Sequence, residues 1–488
     1  MSAASQHATA PEDRIPFPQK LIYGLGAFVN NTLAAGIGNM IIVLNLGLGM
    51  NPALVGLLSS LPRLTDAITD PLMGYISDNT RSRWGRRRPY IFVGAILVGI
   101  IFALLWQLPR GMSDSFYFTY FLIGSLIFFL AYTAFATPWV ALGYELTPDY
   151  HERTRLMGVQ NFIGNIAYMI SPYFLPLMYA IGTYFDSDVM TGASGLAVII
   201  AIVVVSLGVL PAIFLKERFK PSDAESDPNA PKRTISGEIM NFIRGFAITL
   251  KFKPFLKLCI ATFLVFNGFI MIAAFQSYVI IFYIFGGDQA EGANWVGHSG
   301  LVQAISGFLV IILITWLATK IGKRRAFFLS TGISMVGYAL KWFCYTPDNP
   351  WLLLIPAPLM AFGLAGLFTL MPSMVCDVVD ADELNTNERR EGMYGSIFWW
   401  VVKLGQAAAF AAGGVLLNMT GFDIDLAGAQ TPEAIVRMRL LDAFVPCAAS
   451  AVAIWAIASY SITEEKAHEM RAQLEARRGA AAPLPEPV

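Results

Sequence analysis

Apolar runs of about 20 residues recur along the whole chain, and they restrict its fold more than any other feature of the sequence. A helix of that length crosses the roughly 30 Å hydrocarbon core of a bilayer and satisfies its own backbone hydrogen bonds there. The 488 residues are 56% hydrophobic and 14% charged, whereas a soluble domain is about 45–50% apolar and about 25% charged. The sequence therefore predicts an all-α membrane protein.

Twelve such runs are predicted to be transmembrane helices, in two sets of six separated by a polar segment. The segment contains PSDAESDPNAPKR, from Pro221, which cannot bury enough apolar surface to fold. The predicted spans are 20–48, 52–78, 89–108, 116–142, 157–181, 192–215, 255–286, 295–318, 326–344, 351–377, 392–418 and 436–460. The predicted parts are a tail at 1–19, a first half at 20–215, a linker at 216–254, a second half at 255–460 and a tail at 461–488.

Lys and Arg concentrate in the loops on one side of the predicted membrane helices. Five arginines lie between Arg81 and Arg88, after span two, whereas Asp and Glu dominate the loops of the other side. Because positive residues mark cytoplasmic loops, both termini are predicted to be cytoplasmic, in an inner-membrane protein. No apolar region with a cleavage site precedes Pro18, so no cleavable signal peptide is predicted.

Common sequence motifs of enzymes, nucleotide sites and metal sites are missing from the sequence. It has no Walker phosphate loop, no G-x-S-x-G and no H-E-x-x-H, its four histidines do not cluster, and its four cysteines form no C-x-x-C pair. Lys+Arg and Asp+Glu both total 34, which gives no charge excess for nucleic acid. We expect no enzyme activity, no cofactor and no nucleic-acid partner, but a monomer with a small-molecule substrate and membrane lipid as partners.

Two basic loops resemble each other. Gly85–Arg88, after span two, has a counterpart in Gly322–Arg325, after span eight. The positive-inside rule alone explains the basic residues of either loop, but their recurrence at matching places indicates two parallel halves. Ion pairs on this side are expected to hold one conformational state closed. The predicted gating residues are Asp78, Arg81, Arg88 and Arg389.

Span two carries Arg63, Asp66 and Asp70 on one helical face. A carboxylate near the bilayer centre costs about 2.5–3.5 kcal/mol, and two carboxylates one turn apart raise each other's proton affinity unless a cation lies between them. A packing ion pair with Arg63 would account for only one of them. A cation site accounts for both, with Asp66, Thr69, Asp70 and Thr133 of span four as oxygen ligands for Na⁺. Alternatively, one Asp would carry a proton.

Lys403 and Lys341 are two of the lysines that lie within predicted spans. Lys403 in span eleven is too deep to reach the membrane surface easily, so we expect it at the centre of the molecule, near the solute. A static ion pair with Asp66 or Asp70 is the alternative. Lys341 lies near the outer end of span nine, where its side chain is expected to extend to the interface.

Amides and aromatic rings within the spans are candidates for solute recognition. Asn31 and Asn161 would read sugar hydroxyls, and Trp139 and Phe368 would stack on a sugar ring. Helix–helix hydrogen bonding and core packing explain the same residue types equally well.

The run DAITDPLMGYISDNTRSRWGRRRP, from Asp66 to Pro89, resembles the signature of the glycoside–pentoside–hexuronide:cation symporters of the major facilitator superfamily. The similarity spans roughly residues 17–465 and includes YTAFATPW, which ends at Trp139, and EGMYGSIFWWVVK, which ends at Lys403. This resemblance implies two six-helix halves and the uptake of a glycoside together with Na⁺, Li⁺ or H⁺.

The resemblance also implies roles for single positions. Asp66, Thr69, Asp70 and Thr133 fall where the melibiose permease, a member of that family, binds its cation, with Thr69 in place of an asparagine. Lys403 matches the lysine of the family's span eleven. The family's coupling site is therefore expected to be retained.

The family's sugar-recognising charges are not retained. Asn31 and Ala136 stand in place of two aspartates, Asn161 in place of an arginine, and Phe368 at or near a pocket tryptophan. The expected substrate is then a neutral oligosaccharide, a glycoside with an apolar aglycone, or a lysolipid, since lysolipid symporters share the fold. The remaining alternatives are a proton-coupled exporter and, from another class, a membrane sensor or scaffold that transports nothing.

Overall fold

The computed structural model describes residues 11–147, 149–217, 249, 251–386 and 390–481. Long α-helices make up most of these residues, and short 3₁₀ and π turns occur at a few of their ends. The helices are α1 Phe17–Met40, α2 Pro52–Asn79, α3 Arg88–Leu105, α4 Asp114–Glu145, α5 Tyr150–Ile170 continued by Phe174–Tyr184, α6 Val189–Gly208, α7 Lys253–Tyr278, α8 Gln289–Ile321, α9 Lys323–Cys344, α10 Pro356–Thr386, α11 Glu391–Met419, α12 Pro432–Ala458 and α13 Glu464–Ala481.

Eleven helical segments among these residues are long and apolar enough to cross a membrane. The remaining long helix in the predicted set is α2, whose 28 residues make it about 42 Å long. It falls outside the eleven because Arg63, Asp66 and Asp70 reduce its apolar content. The predicted twelve-helix, all-α fold is confirmed, and α2 carries three of the four proposed ion ligands, Asp66, Thr69 and Asp70.

The helices depart from the predicted spans at three places. Pro172 lies in a 3₁₀ turn, Ser171–Tyr173, that interrupts α5, because proline has no N–H to donate. The end of α7 widens into a π turn at Val279–Ile284. Helix α13 lies in the predicted C-terminal tail and packs Ala467 and Met470 against the core of the second unit.

Two compact units can be separated by their internal packing, Met1–Ile235 with Ala293–Gly297, and Ser236–Gly292 with His298–Val488. We refer to them as unit 1 and unit 2. Most of the predicted linker, 216–254, lies outside the described residues. The predicted limits of the two halves and of the tails stay predictions.

In unit 1, a glutamate side chain binds the backbone at the end of the loop between α2 and α3. The carboxylate of Glu217 accepts hydrogen bonds from the backbone N–H groups of Arg86, Arg87 and Arg88 at 2.8, 2.8 and 2.9 Å. These N–H groups lie at the start of α3, where a helix has no internal acceptors and where negative charge is stabilising. Gly85, just before them, has φ +106°, and a Cβ there would lie 2.6 Å from the same carboxylate.

Unit 2 also has a glutamate carboxylate beside the glycine that precedes the corresponding helix. Gly322 has φ +82° before α9, and a Cβ there would lie 2.6 Å from the carboxylate of Glu464. Arg324 donates to the carbonyl of Ala458 at 2.7 Å, as Arg88 donates at 2.6 Å to a carbonyl in the helical turn that follows α6. The internal repeat seen in the basic loops therefore extends to their acidic partners.

Gly85→Ala is expected to lower the free energy of unfolding by about 2–3 kcal/mol, because it adds both left-handed strain and a clash with Glu217. Gly111→Ala is the matched control, since Gly111 also has a positive φ, +71°, but has open space around its Cβ position. Strain alone should cost that variant about 1 kcal/mol. Equal losses in thermal unfolding of the purified proteins would contradict the contact with Glu217.

Candidate functional site

Oxygen atoms from α2 and α4 converge within unit 1. Thr133 Oγ1 donates to Asp70 Oδ1 at 3.0 Å and lies 3.4 Å from Thr69 Oγ1. Thr137, one turn further along α4, places its Oγ1 3.5 Å from the same Asp70 oxygen. Asp66 lies one turn before Asp70 on α2, and its side chain is outside the described part of the structure. We call Thr69, Asp70, Thr133 and Thr137 the oxygen cluster.

The helical repeat explains why these groups meet. Thr133 and Thr137 share one face of α4, and that face packs along α2. Thr133 is 1% exposed, so its hydroxyl must find partners within the protein. A carboxylate and several hydroxyl oxygens suit a hard cation such as Na⁺, and a buried carboxylate is also suited to carry a proton.

Two other charged side chains were expected near the ions or the solute. The guanidinium of Arg63 lies over the Phe129 ring of α4, 5.7 Å from its centroid, in cation–π geometry. Lys403 lies mid-way along α11 in unit 2 and is half-buried. Its predicted role at the solute stays a prediction.

Of the two candidate amides of unit 1, Asn31 belongs to a hydrogen-bonded chain. Tyr132 donates to Asn30 at 2.8 Å, Asn30 donates to Asn31 at 3.2 Å, and Asn31 donates to the carbonyl of Gly164 at 2.9 Å. Asn31 thereby links α1 to α5, which is the packing explanation for an intramembrane amide. Asn161 is exposed on α5 and its carbonyl accepts a bond from Asn165.

The aromatic candidates lie in different surroundings. Trp139 is 2% exposed and stacks with Tyr23 and Phe135, with ring centroids 5.1 and 6.4 Å away. Its ring therefore packs between helices, and its predicted role in stacking on a sugar ring stays a prediction. Phe368 in unit 2 stacks with Trp399 at 6.0 Å, and Trp399 is 51% exposed. Ala136 is half-buried on α4, one turn after Tyr132.

One predicted gating residue, Asp78, belongs to a network of ion pairs at the basic end of unit 1. Asp78 pairs with Arg87 at 2.7 Å, and Glu145, at the end of α4, pairs with both Arg87 and Arg86. Burial and the neighbouring Arg87 lower the pKa of the Arg86 guanidinium, which nevertheless stays charged. Arg88 is held by backbone carbonyls, and Arg81 is exposed. Arg389 lies outside the described residues.

Comparison with known proteins settles the class of this chain. The sequence profile of MFS/sugar transport proteins matches residues 22–464. The chain belongs to this family. It is therefore an integral membrane transporter, as the resemblance in the α2 segment implied.

Relatives and solved structures agree with this assignment. The transporter is 23% identical to the isoprimeverose transporter of Lactiplantibacillus pentosus over 95% of each chain. It is 24% identical to sodium-dependent lysophosphatidylcholine symporter 1 of Gallus gallus, over 95% of this chain and 90% of that one. A bacterial homologue of the lysosomal transporter Spinster, in an inward-facing crystal structure, has the same fold at 15% identity, with a TM-score of 0.63 over 94% of this chain and 96% of its own.

The transporter contains a second polar site that the sequence analysis misjudged. Lys341 is 1% exposed and pairs with Asp442 of α12, which is 2% exposed, at 2.6 Å. The expectation that Lys341 extends to the membrane interface is therefore wrong. Asp442 lies six residues inside the predicted twelfth span, and this second intramembrane charge was the signal that could have identified the pair.

Proposed function

We propose that this transporter is a symporter that couples entry of a small organic solute to a downhill cation, and that the oxygen cluster with Asp66 is its ion site. The observation that carries the proposal is the contact between Thr133 and Asp70, 3.0 Å apart on two different helices. A hydroxyl held against a carboxylate in this way supplies two ligand oxygens of one cation shell. If Asp70 carries a proton instead of binding a cation, the hydrogen bond from Thr133 would orient its carboxyl group.

Coupling follows from the free energy of these carboxylates. Without a cation, two acids one turn apart on α2 carry repulsion and desolvation costs. An ion that relieves those costs favours the state in which its ligands converge, and a solute that prefers the same state binds more tightly when the ion is present. Linkage is reciprocal, so the solute also tightens ion binding. Downhill ion movement then drives accumulation of the solute.

A glycoside is the substrate class that we favour. The profile that matches this chain describes sugar transport, and one relative is named an isoprimeverose transporter. Asn31, Ala136 and Asn161 are uncharged, which suits a neutral solute. The second candidate is a lysolipid or another amphiphile, which the similarity to the Gallus gallus symporter supports.

For the cellular setting we infer the inner membrane, with both termini in the cytoplasm and a monomer as the working unit. The support is the run of basic residues in Arg81–Arg88 and its repeat at Lys323–Arg325. Uptake, rather than export, is the direction that we propose.

Solute transport into proteoliposomes tests the substrate class. Isoprimeverose, a phenyl glycoside, a glucuronide and lysophosphatidylcholine would each be offered with an inward Na⁺, Li⁺ or H⁺ gradient. We expect a glycoside to accumulate only when one of the cation gradients is present. Accumulation of lysophosphatidylcholine alone would replace glycoside with amphiphile, and proton-driven efflux would replace import with export. No movement of any solute would contradict symport and favour a sensor or scaffold.

A further inference from the structure

Arg439 of α12 is held in an unusual environment for a membrane helix. Its guanidinium carbon makes cation–π contacts with two aromatic rings, 4.3 Å from the centroid of Tyr283 and 4.5 Å from that of Trp342. It donates from Nη2 to the carbonyl of Trp342 at 2.6 Å. Its N–H edge, where Nε has no hydrogen-bond partner within the described structure, is the part of the guanidinium that suits carboxylates and phosphates.

The positive charge of Arg439 has no ion-pair partner among the described residues. The nearby carboxylate, Asp442, is bound to Lys341 at 2.6 Å, and that lysine also contacts Gln276 at 3.5 Å. Arg439 Nε is buried and has no hydrogen-bond partner within the described structure. The two cationic side chains, Lys341 and Arg439, therefore have one carboxylate between them, that of Asp442. A narrow crevice is lined by all three side chains. An anion bound beside this partly buried charge would stabilise it.

The surroundings of Arg439 face the membrane. The side chains of Val436, Leu440 and Phe444 follow one face of α12 and are 45%, 42% and 45% exposed. Trp342 contacts Phe444 with ring centroids 5.9 Å apart, so this stripe continues from the aromatic pair around the arginine. Arg439 is eight residues into α12, about 10 Å from its first residue.

The π turn Val279–Ile284 contributes the remaining wall. It carries Tyr283, which covers one face of Arg439, and Val279, which lines the crevice. Single π turns within helices occur frequently at functional sites, because the wider backbone turn reorients side chains. The turn, the two aromatic rings and the Nε of Arg439 thus belong to one site, at the end of unit 2 opposite the Lys323–Arg325 loop.

We propose that Arg439 binds the phosphate of an anionic phospholipid, whose acyl chains lie along Val436, Leu440 and Phe444. The charge of the site selects an anion, and the exposed apolar stripe beside it selects one that carries hydrocarbon. Aromatic rings around a basic residue are also typical of the level where lipid headgroups lie. This site is separate from the oxygen cluster and does not depend on the identity of the transported solute.

Native mass spectrometry of the detergent-purified full chain tests the proposal, with phosphatidylglycerol as the anionic probe and phosphatidylcholine as the zwitterionic one. Arg439→Gln is compared with Arg437→Gln, an exposed arginine two residues earlier on the same helix. We expect the wild type and Arg437→Gln to retain phosphatidylglycerol in preference to phosphatidylcholine. Arg439→Gln should weaken phosphatidylglycerol binding roughly fivefold and leave phosphatidylcholine unchanged.

Three results would overturn the proposal: equal selectivity in Arg439→Gln and the wild type, equal loss in Arg437→Gln, or full competition by inorganic phosphate, which would indicate a site for a free anion. If Arg439→Gln does not purify as a monodisperse protein, Arg439→Lys is measured in its place. Lysine keeps the positive charge but lacks the planar guanidinium that can donate two hydrogen bonds to one phosphate. We therefore expect an intermediate loss of selectivity for phosphatidylglycerol. Selectivity identical to wild type in that variant would also count against the site.

Discussion

Asp70→Asn is expected to abolish solute accumulation against a gradient. The substitution keeps the shape of the side chain and removes the charge that the hydroxyl of Thr133 contacts at 3.0 Å. Of the two proposed ligand carboxylates, only that of Asp66 then remains, so we expect the cation or proton to bind too weakly for its movement to drive the solute. In proteoliposomes with an imposed cation gradient, the ratio of internal to external solute should fall to about 1, the value for uncoupled transport.

Asp114→Asn is the matched control for this experiment. Asp114 is also an aspartate on a transmembrane helix, but it is exposed in the first turn of α4. Accumulation should be unchanged in that variant. Downhill exchange of the solute in the absence of an ion gradient checks that Asp70→Asn is folded. Gradient-driven accumulation at the wild-type level in a folded Asp70→Asn protein would remove the oxygen cluster from the coupling mechanism.

Asp442→Ala is expected to destabilise unit 2 by roughly 3–5 kcal/mol, because it leaves Lys341 buried without its carboxylate partner. Both side chains are almost fully buried, 1% and 2% exposed, so water cannot replace the missing oxygen without rearrangement. The measurement is the free energy of unfolding, or the thermal midpoint, of the protein in detergent. Asp425→Ala, at an exposed aspartate in unit 2, should have little effect.

The double variant Lys341→Met/Asp442→Leu distinguishes an unpaired charge from a simple loss of packing. Removing both charges while conserving volume should restore most of the stability that Asp442→Ala loses. A double variant no more stable than Asp442→Ala would show that the packing around these side chains, rather than their ion pair, stabilises this part of unit 2.

The fold could be predicted well from the sequence because few backbone structures are stable within a bilayer. A backbone in hydrocarbon must satisfy its own hydrogen bonds, so each long apolar run becomes a helix, and the predicted spans match α1 to α12 within a few residues at most ends. A break in α5 at Pro172 could be predicted from the missing N–H of proline. The π turn after α7 was not predicted, because it depends on how neighbouring side chains pack, which the hydropathy pattern does not report.

Side-chain partners were harder to predict than helices. Asp70 and Thr133, which the sequence analysis grouped, lie in hydrogen-bond contact, and their role as ion ligands stays a prediction. Lys341 was misjudged because its partner, Asp442, lies 101 residues away, and a helical pattern carries no information on contacts between distant helices. Trp139 shows the same limit. A tryptophan side chain can stack on a sugar ring, but the packing of this one against Tyr23 and Phe135 is visible only in three dimensions.

Cation binding by the purified protein tests the central claim most directly, because it does not require the solute to be known. Isothermal titration calorimetry with Na⁺ and Li⁺, together with proton uptake measured across a pH series, would be performed on the wild type and on Asp70→Asn. We predict saturable binding of one cation or one proton by the wild type and none by the variant. Identical ion binding by the two proteins, or none by the wild type, would contradict the assignment of Asp70 and Thr133 to the coupling site.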